Sequence, residues 1–367
     1  MILGPEGPLE VDANINVLLF ESALFDLSKM QRVPPSVTTR IALENRAHAV
    51  QTPENWLDNL TGSLDALELE LKSVQEKSVI CLHSNQLLLD GSKEIVLRFK
   101  SLVKRHLVVL SISVPPSIVD ESQGAEYLIS HIHYGSSNGS FLFGLLGPLL
   151  VDEFTTLSNA KMYTIAQNKA GNVLLLVHVR SVEKLKSLVL DSPDLFDFGR
   201  TVFFGICSTQ GVTELLEIGA PHVNLGLEIN PDSDSRQEAT FLSPHQAIDV
   251  LNTFKNDRRI TPVISTGAKY KTDLIKYGGQ GIGFSLNFLR RLYPNYLNSS
   301  NQAGLSLLDF SWNPPKLNLK KDEDIPKWVC DICGQVGRSD EQQNYTKHGF
   351  TYCSIACLSE HRKRNFK

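Results

Sequence analysis

Four cysteines near the C-terminus have the residue type and spacing of a metal site. They form two close pairs, Cys330-x2-Cys333 and Cys353-x3-Cys357. The first pair is followed by a glycine, as in a zinc knuckle, and the second leads into a helix-like segment. Two thiolate pairs supply a closed tetrahedral shell of sulfur ligands at about 2.3 Å from the ion. The spacing predicts one structural Zn²⁺ held by Cys330, Cys333, Cys353 and Cys357.

This cysteine-rich segment is too short to fold by burying apolar side chains alone, so zinc would supply much of its folding free energy. Two alternatives stay open. His348 or His361 replaces one cysteine as a ligand, or the four cysteines are merely buried or oxidised. The other two cysteines, Cys81 and Cys207, stand alone in apolar runs. Because the remaining four are crowded near the C-terminus, the distribution favours a metal site there over a disulfide framework.

The second half of the segment, Tyr352-Cys353-Ser354-x2-Cys357, resembles the treble-clef-like FCS, MYM and TRASH zinc fingers. That resemblance implies contact with a protein or with RNA. Acidic residues in the same segment favour a protein partner, while a basic end permits contact with RNA or DNA. The basic residues are His361, Arg362, Lys363, Arg364 and Lys367.

The preceding 300 or so residues alternate between short apolar runs and segments with helical periodicity. One helical segment begins with Ser243 as a predicted N-cap and Pro244 as the first helical residue. Eight apolar runs are predicted strands: 15–20, 78–84, 107–113, 140–147, 173–179, 201–207, 222–228 and 261–266.

Apolar strands that alternate with amphipathic helices predict an α/β fold with a parallel sheet covered on both faces. Eight such units favour closure into a (β/α)8 TIM barrel, and a doubly wound open sheet is the alternative. After WNPPKL the composition becomes polar and charged. We therefore predict a barrel in residues 1–317, a linker in 318–329 and a small treble-clef-like zinc-binding domain in 330–367.

Catalytic residues of a TIM barrel lie at the C-terminal ends of its strands. At those positions only His83, His178, Cys207 and Glu228 could bind a metal ion or move a proton. No two of them form a close pair on one strand. The candidate catalytic residues are therefore His178, His83 and Glu228, and a core histidine with one hydrogen bond is the favoured interpretation of His178.

A His-x-His pair, His131 and His133, lies at the end of a helical segment before the fourth predicted strand. This position is at the opposite end of the barrel from the catalytic face. We interpret both as histidines of a helix C-terminus ahead of Gly135, where a cationic ring complements the helix dipole.

The stretch STGAKYKTDLIKYGGQGIGF, residues 265–284, resembles the last strand and loop of the phosphotriesterase-related family in the amidohydrolase-like superfamily. In that family an Asp metal ligand ends the strand and is followed by Lys, Leu and a Lys-Tyr-Gly-Gly-x-Gly run. Here Lys271, Leu274 and the run 276–281 match. Weaker matches are LGPEGPLE near the start, TVFFGICST and Asn313-Pro314. The resemblance implies a barrel of the same kind.

The metal ligands implied by this resemblance are missing from the chain. The family's positions fall on Leu18 and Phe20, Pro148, Gly205, and Gly267 or Thr266, and only His178 survives, by a shift of one residue from Val177. Without electron-donating side chains no metal-bound hydroxide forms at neutral pH. We therefore expect a non-catalytic barrel, a pseudoenzyme that acts as a scaffold or a ligand-binding module. Its glycine-rich loop persists because it packs closely against a helix. The alternative is a metal-dependent hydrolase of an ester, lactone or phosphoester with a rebuilt site.

Whole-chain charge gives no reason for binding nucleic acid or an anionic membrane. The net charge is −4, and the sequence pI is about 6.2. The N-terminus has no basic region before its apolar run, and no window holds eighteen consecutive apolar residues. The sequence predicts an intracellular protein, cytoplasmic or nuclear, that is neither secreted nor bound to a membrane.

Overall fold

The structure is a computed structural model, and it divides the chain into two compact units, Met1–Trp312 and Asn313–Lys367. The predicted boundaries at 317 and 330 remain predictions. The described residues are 2–4, 7–9, 16–21, 68–72, 74, 78–83, 99, 101, 107–115, 117–136, 141–171, 173–218, 222–231, 242–267, 275, 280–309, 327–329, 336–338, 345–347, 350–352 and 354–363.

Eight described strands of the first unit run parallel and close into a barrel. They follow chain order around the barrel, and the last strand pairs with the first at Ile264 and Leu18. A two-stranded hairpin, β1 (Ile2–Gly4) and β2 (Gly7–Leu9), precedes them. The barrel strands are β3 (Asn16–Glu21), β4 (Ser78–His83), β5 (Leu107–Ile112), β6 (Leu145–Val151), β7 (Leu174–Val179), β8 (Thr201–Phe204), β9 (Val223–Glu228) and β10 (Ile260–Ser265). Closure confirms the predicted TIM barrel and excludes the open sheet.

Amphipathic helices follow most barrel strands. The predicted start of one is confirmed, because Ser243 accepts a hydrogen bond from Gln246 N and Pro244 is the first helical residue. The described helices of this unit are α1 (Glu121–Tyr134), α2 (Leu157–Lys169), α3 (Val182–Asp191), α4 (Thr209–Glu217), α5 (Pro244–Phe254), α6 (Phe284–Leu292) and α7 (Pro294–Leu308). None of the helices in the described part of the chain has the length and apolarity needed to span a bilayer.

Side chains of the barrel strands divide between two apolar layers. Along β7, Leu174 and Leu176 belong to the smaller cluster, which also holds Phe204 and the end of α7, while Leu175 and Val177 belong to the larger cluster, which contains residues of α1 to α6. This alternation has the period of two that a strand imposes. Each fully buried Leu or Val contributes about 1.5–3 kcal/mol by leaving water, so the two layers provide the main driving force for this fold.

The fourth barrel strand begins later than the sequence indicated. The predicted strand 140–147 is wrong in its bounds, because β6 covers Leu145–Val151. Phe141 and Phe143 are fully buried in the segment before the strand. The apolar run continues without a break from Phe141 to Val151, so hydrophobicity alone gave no signal for where pairing with β5 starts.

The two histidines at the end of α1 lie where the sequence placed them. They occupy its last turn, and Gly135 ends the helix with φ of 79°. Burial lowers the pKa of His131, although its hydrogen bond to the Tyr127 carbonyl opposes this, and burial also lowers the pKa of His133. The predicted position at a helix C-terminus is confirmed; a lowered pKa favours the neutral ring, so complementarity to the helix dipole stays a prediction.

Phe204 belongs to the inner apolar cluster of the barrel, is 1% exposed and packs against Gly226 of the neighbouring strand. A Cβ on Gly226 would overlap the Phe204 ring. We predict that Gly226→Ala lowers the free energy of unfolding by about 1–3 kcal/mol, the usual cost of overpacking. Urea unfolding measures this loss. Gly283→Ala is the matched control, since the nearest atoms to its Cβ are 3.9 Å away. Equal urea midpoints for the two variants would contradict this packing.

The second unit contains two antiparallel hairpins and one helix. β11 (Lys327–Val329) pairs with β12 (Val336–Arg338), and β13 (Tyr345–Lys347) pairs with β14 (Phe350–Tyr352). Helix α8 (Ile355–Lys363) follows directly after β14. Both β11 and α8 contact β14, whose Tyr352 is fully buried. A knuckle hairpin, a second hairpin and a helix in this order are the elements of a treble clef.

Candidate functional site

Two of the predicted catalytic candidates meet at the C-terminal end of the barrel. His178 is the next-to-last residue of β7, and Glu228 is the last residue of β9. His178 Nε2 lies 3.2 Å from Glu228 Oε2, and the two residues are 4% and 2% exposed. His178 follows Leu174 and Leu176 on the inner side of β7, while Val177 packs outside. This contact joins β7 to β9, which are separated by β8 in the barrel, so the spacing of the two residues in the sequence does not predict it.

His83 and Cys207 are the remaining strand-end residues that could bind a metal ion, and neither joins this pair in the described part of the chain. His83 ends β4, and its side chain lies outside the described residues. Cys207 is half-buried after β8, where its thiol donates to the Gly205 carbonyl at 3.4 Å. The described residues contain no group of three His, Cys, Asp or Glu side chains that could hold a metal ion.

The position that the resemblance assigned to the sixth-strand histidine is closed to any side chain. Gly205 has φ of 82°, in the left-handed region that L side chains rarely adopt. A Cβ there would lie well within 3.0 Å of the Val179 carbonyl oxygen and 3.1 Å from the His178 ring. The close approach of this backbone to His178 therefore requires glycine.

The position assigned to the eighth-strand aspartate is used for packing. The Thr266 hydroxyl donates to the Ile282 carbonyl at 2.6 Å and lies 2.7 Å from Ser285 Oγ. Ser265 Oγ accepts a hydrogen bond from Gly267 N at 3.0 Å. These residues are all fully or almost fully buried. The hydroxyl groups tie the end of β10 to the start of α6.

Glu70 is an important buried residue that the sequence did not reveal. It lies in the helical segment 68–72 and is 0% exposed. Its Oε1 accepts a hydrogen bond from Ile275 N, and its Oε2 accepts one from Ile282 N at 2.9 Å. Both amides belong to the loop after β10. One carboxylate therefore clamps the glycine-rich loop through its backbone, over a separation of more than 200 residues.

Gly281 makes this clamp possible. It has φ of 76°, and a Cβ at this position would collide with Glu70 Oε2 and with the Ile275 side chain. The prediction that the loop's glycines allow close approach to a helical segment is confirmed at this glycine. The residues 268–274 and 276–279, which carry most of the family-like run, lie outside the described residues.

The C-terminal unit places one described cysteine, Cys357, at the start of its helix. Cys357 lies in the first turn of α8, where Ser354 Oγ caps the helix by accepting from Cys357 N at 3.2 Å. A thiolate at a helix N-terminus is favoured by the helix dipole. Cys330, Cys333 and Cys353 lie outside the described residues, as do His348 and the side chain of His361. The first two are in the connection between paired β11 and β12, and Cys353 joins β14 to α8.

This order of elements fits a treble-clef zinc site. Contact between β11 and β14 brings the hairpin that carries the first cysteine pair beside the strand that leads to the second pair. A closed site of this type takes its ligands from those two places. Cys330, Cys333, Cys353 and Cys357 are the residues that would hold the ion, and its role there would be structural.

Residues 327–367 match the sequence profile of the Vms1-associating treble clef domain. Comparison of the sequence with curated proteins gives no match. The barrel is similar to two solved structures. One is a phosphotriesterase homology protein from Escherichia coli complexed with phosphate in its active site, at 13% identity and a TM-score of 0.55 over 81% of this chain and 96% of that one. The barrel is phosphotriesterase-like in fold.

The second similar structure is a Y97L/G100-/E101- mutant of organophosphorus hydrolase. It is 12% identical, has a TM-score of 0.57, and the match covers 84% of this chain and 96% of that one. At such identities the likeness concerns the fold alone. The chain thus resembles a phosphotriesterase-like barrel followed by a treble clef domain, which confirms the resemblance seen in the sequence.

Proposed function

We propose that this protein is a non-catalytic phosphotriesterase-like barrel that acts as a scaffold, joined to a zinc-stabilised treble clef domain that binds a protein partner. The observation that carries the first half is the geometry at Gly205. A metal ligand on that strand would need a side chain where the backbone has a positive φ and approaches the Val179 carbonyl. Hydrolysis by metal-bound hydroxide needs several such ligands around one ion.

The eighth-strand position gives independent support for a barrel without hydrolytic activity. Thr266 is committed to hydrogen bonds with Ile282 and Ser285, and Gly267 offers no side chain. A hydroxyl held by two buried partners cannot leave them to bind an ion without a cost of about 1–3 kcal/mol per lost hydrogen bond. The residues that follow β10 therefore hold the loop against α6 and do not bind a metal ion.

The second half of the proposal rests on the treble clef domain. The matching domain is described as Vms1-associating, which is a statement of association with a protein. Arg362 and Lys363 of α8 are exposed, but the whole chain carries a net charge of −4. A basic helix end without a wider basic surface favours a protein partner over RNA or DNA. Binding to RNA that weakens steeply with salt would replace this assignment.

We place the protein inside the cell, in the cytoplasm or nucleus, because its cysteine pairs suit zinc in a reducing compartment.

The alternative is a rebuilt hydrolase, and the contact between His178 and Glu228 is the observation that favours it. Their atoms lie 3.2 Å apart at the catalytic end of the barrel. A metal-dependent hydrolase of an ester, lactone or phosphoester would need His83 or another ligand to join them. Zinc content and activity separate the two functions.

We predict that the purified full-length chain contains about one zinc per molecule. His178→Ala should leave this content unchanged, because the barrel residue is not a ligand, whereas Cys357→Ser should remove it. Elemental analysis of the three proteins measures the ratio. Cys207→Ser is the matched cysteine control and should keep its zinc. Additional metal that disappears in His178→Ala, together with hydrolysis of an ester or phosphoester panel, would establish the hydrolase instead.

A further inference from the structure

We propose that Glu228 anchors a small ligand with a protonated amine at the C-terminal end of the barrel. This binding site is additional to the proposed scaffold and treble clef functions and does not depend on them. Glu228 Oε2 lies beside His178 Nε2 at 3.2 Å. Both oxygens of this carboxylate are buried, and neither accepts a hydrogen bond from the described part of the chain; Oε1 has no ion-pair partner there either.

A buried carboxylate with a vacant acceptor is costly for the fold. Glu228 is 2% exposed, so water compensates little for the lost hydration of its charge. Native proteins satisfy the great majority of buried polar groups, and those that are not satisfied occur often at functional sites. An acceptor that the chain leaves open is available to a hydrogen-bond donor on a ligand.

Glu70 shows what a structural buried carboxylate looks like in the same barrel. Both of its oxygens accept backbone amides, from Ile275 and Ile282. Glu228 differs, since only its Oε2 approaches a described side chain that carries a polar donor. The contrast argues against a purely structural role for Glu228.

The surroundings of Glu228 favour a cationic ligand over a neutral one. The inner layer below it includes apolar side chains such as Phe204, which packs on Gly226, together with the buried amide of Asn224, which donates to backbone carbonyls. The neighbouring inner residue in register, Ser265, already accepts a hydrogen bond from Gly267 N. In a low-dielectric setting the attraction between a carboxylate and an ammonium group is stronger than in water. The ammonium group also supplies the N–H donors that Oε1 accepts.

Among the described residues, the number of protein donors favours an organic cation over a metal ion. His178 and Glu228 supply two ligands, whereas protein zinc sites use three or four. The described residues contain no third side chain grouped with them for metal binding. An ammonium group needs only one good acceptor, which Glu228 Oε1 provides.

Ethylammonium is a suitable probe, with ethanol as its neutral counterpart. The full-length protein should bind ethylammonium with a dissociation constant of about 1 mM, near the limit for three heavy atoms. Ligand-observed NMR measures the titration. Glu228→Gln, which keeps the shape of the side chain and removes its charge, should weaken binding at least about tenfold. Glu153→Gln is the matched control, because Glu153 is an exposed carboxylate in the loop after β6.

Thermal unfolding without any ligand gives a second, independent readout. Glu228→Gln should raise the Tm by about 2–4 °C, because a neutral amide costs less to bury than a carboxylate. Glu153→Gln should leave the Tm unchanged. A lower Tm for Glu228→Gln would mark the carboxylate as structural and overturn the proposal.

The binding titration can overturn the proposal in three ways. The first is equal binding of ethylammonium by the wild-type protein and Glu228→Gln. The second is ethanol binding as tightly as ethylammonium, and the third is the absence of any saturable binding. The zinc content of the treble clef domain is the same in every one of these outcomes, so a failure here is distinct from a failure of the proposed function.

Discussion

Replacing Cys330 by Ser will release the zinc and unfold the treble clef domain while the barrel stays folded. Structural zinc contributes on the order of 10 kcal/mol to the folding of such small domains, far more than their apolar cores supply. A serine hydroxyl does not replace a thiolate ligand. Amide hydrogen exchange in α8 and in β13–β14 should change from protected to fast, and the zinc content should fall to near zero.

The barrel provides the control for this variant. Cys207 donates to a carbonyl within its own loop, and it is separate from the four predicted ligands. Cys207→Ser should keep the zinc and the slow exchange of α8. His361→Ala and His348→Ala decide whether a histidine serves in place of one cysteine. Retention of zinc and of protected amides in Cys330→Ser would disprove the four-cysteine site.

Replacing Glu70 by Ala will destabilise the barrel by about 3 kcal/mol or more. The change leaves the amides of Ile275 and Ile282 without their acceptor, and Ile282 is 0% exposed. The buried amide of Ile282 left unsatisfied costs about 1–3 kcal/mol, and the partly buried amide of Ile275 and a cavity add to this. Urea unfolding followed by circular dichroism measures the loss. The loop after β10 should also show faster amide exchange.

Glu68 provides a matched control in the same helical segment. It forms an exposed i,i+4 ion pair with Lys72, whose side chain is 60% exposed, at 2.9 Å. Such pairs contribute about 0–1 kcal/mol, so Glu68→Ala should have little effect. Glu70→Gln keeps one acceptor oxygen and should lie between the two alanine variants. Similar urea midpoints for Glu68→Ala and Glu70→Ala would show that the clamp does not stabilise the barrel.

Much of the architecture could be predicted from local sequence. The apolar runs at 78–84, 107–113 and 173–179 became β4, β5 and β7, because an uninterrupted apolar run suits a strand buried on both faces. Ser243 and Pro244 marked a helix start for an equally local reason, since capping involves residues three positions apart. This criterion misplaced the bounds of the fourth barrel strand, because the segment before that strand is also apolar and buried.

The candidate site was predicted only in part. His178 and Glu228 were both recognised as polar residues at strand ends, but their contact joins β7 to β9 across an intervening strand. Sequence spacing reports neighbours along one element and does not report which strands face each other across a barrel. Glu70 gave no signal, since a glutamate in a helical segment is usually exposed and its partners lie more than 200 residues away.

The sequence by itself determined the alternation of strand and helix, the spacing of the four C-terminal cysteines, and the loss of the family's metal-ligand residue types. Each of these is a property of residues close together in the chain. Only the tertiary structure decided that Gly205 closes its position to a side chain, that Glu70 holds the loop after β10, and that Glu228 meets His178. These contacts depend on barrel closure, which brings distant strands and loops to one end of the molecule through packing that no local pattern specifies.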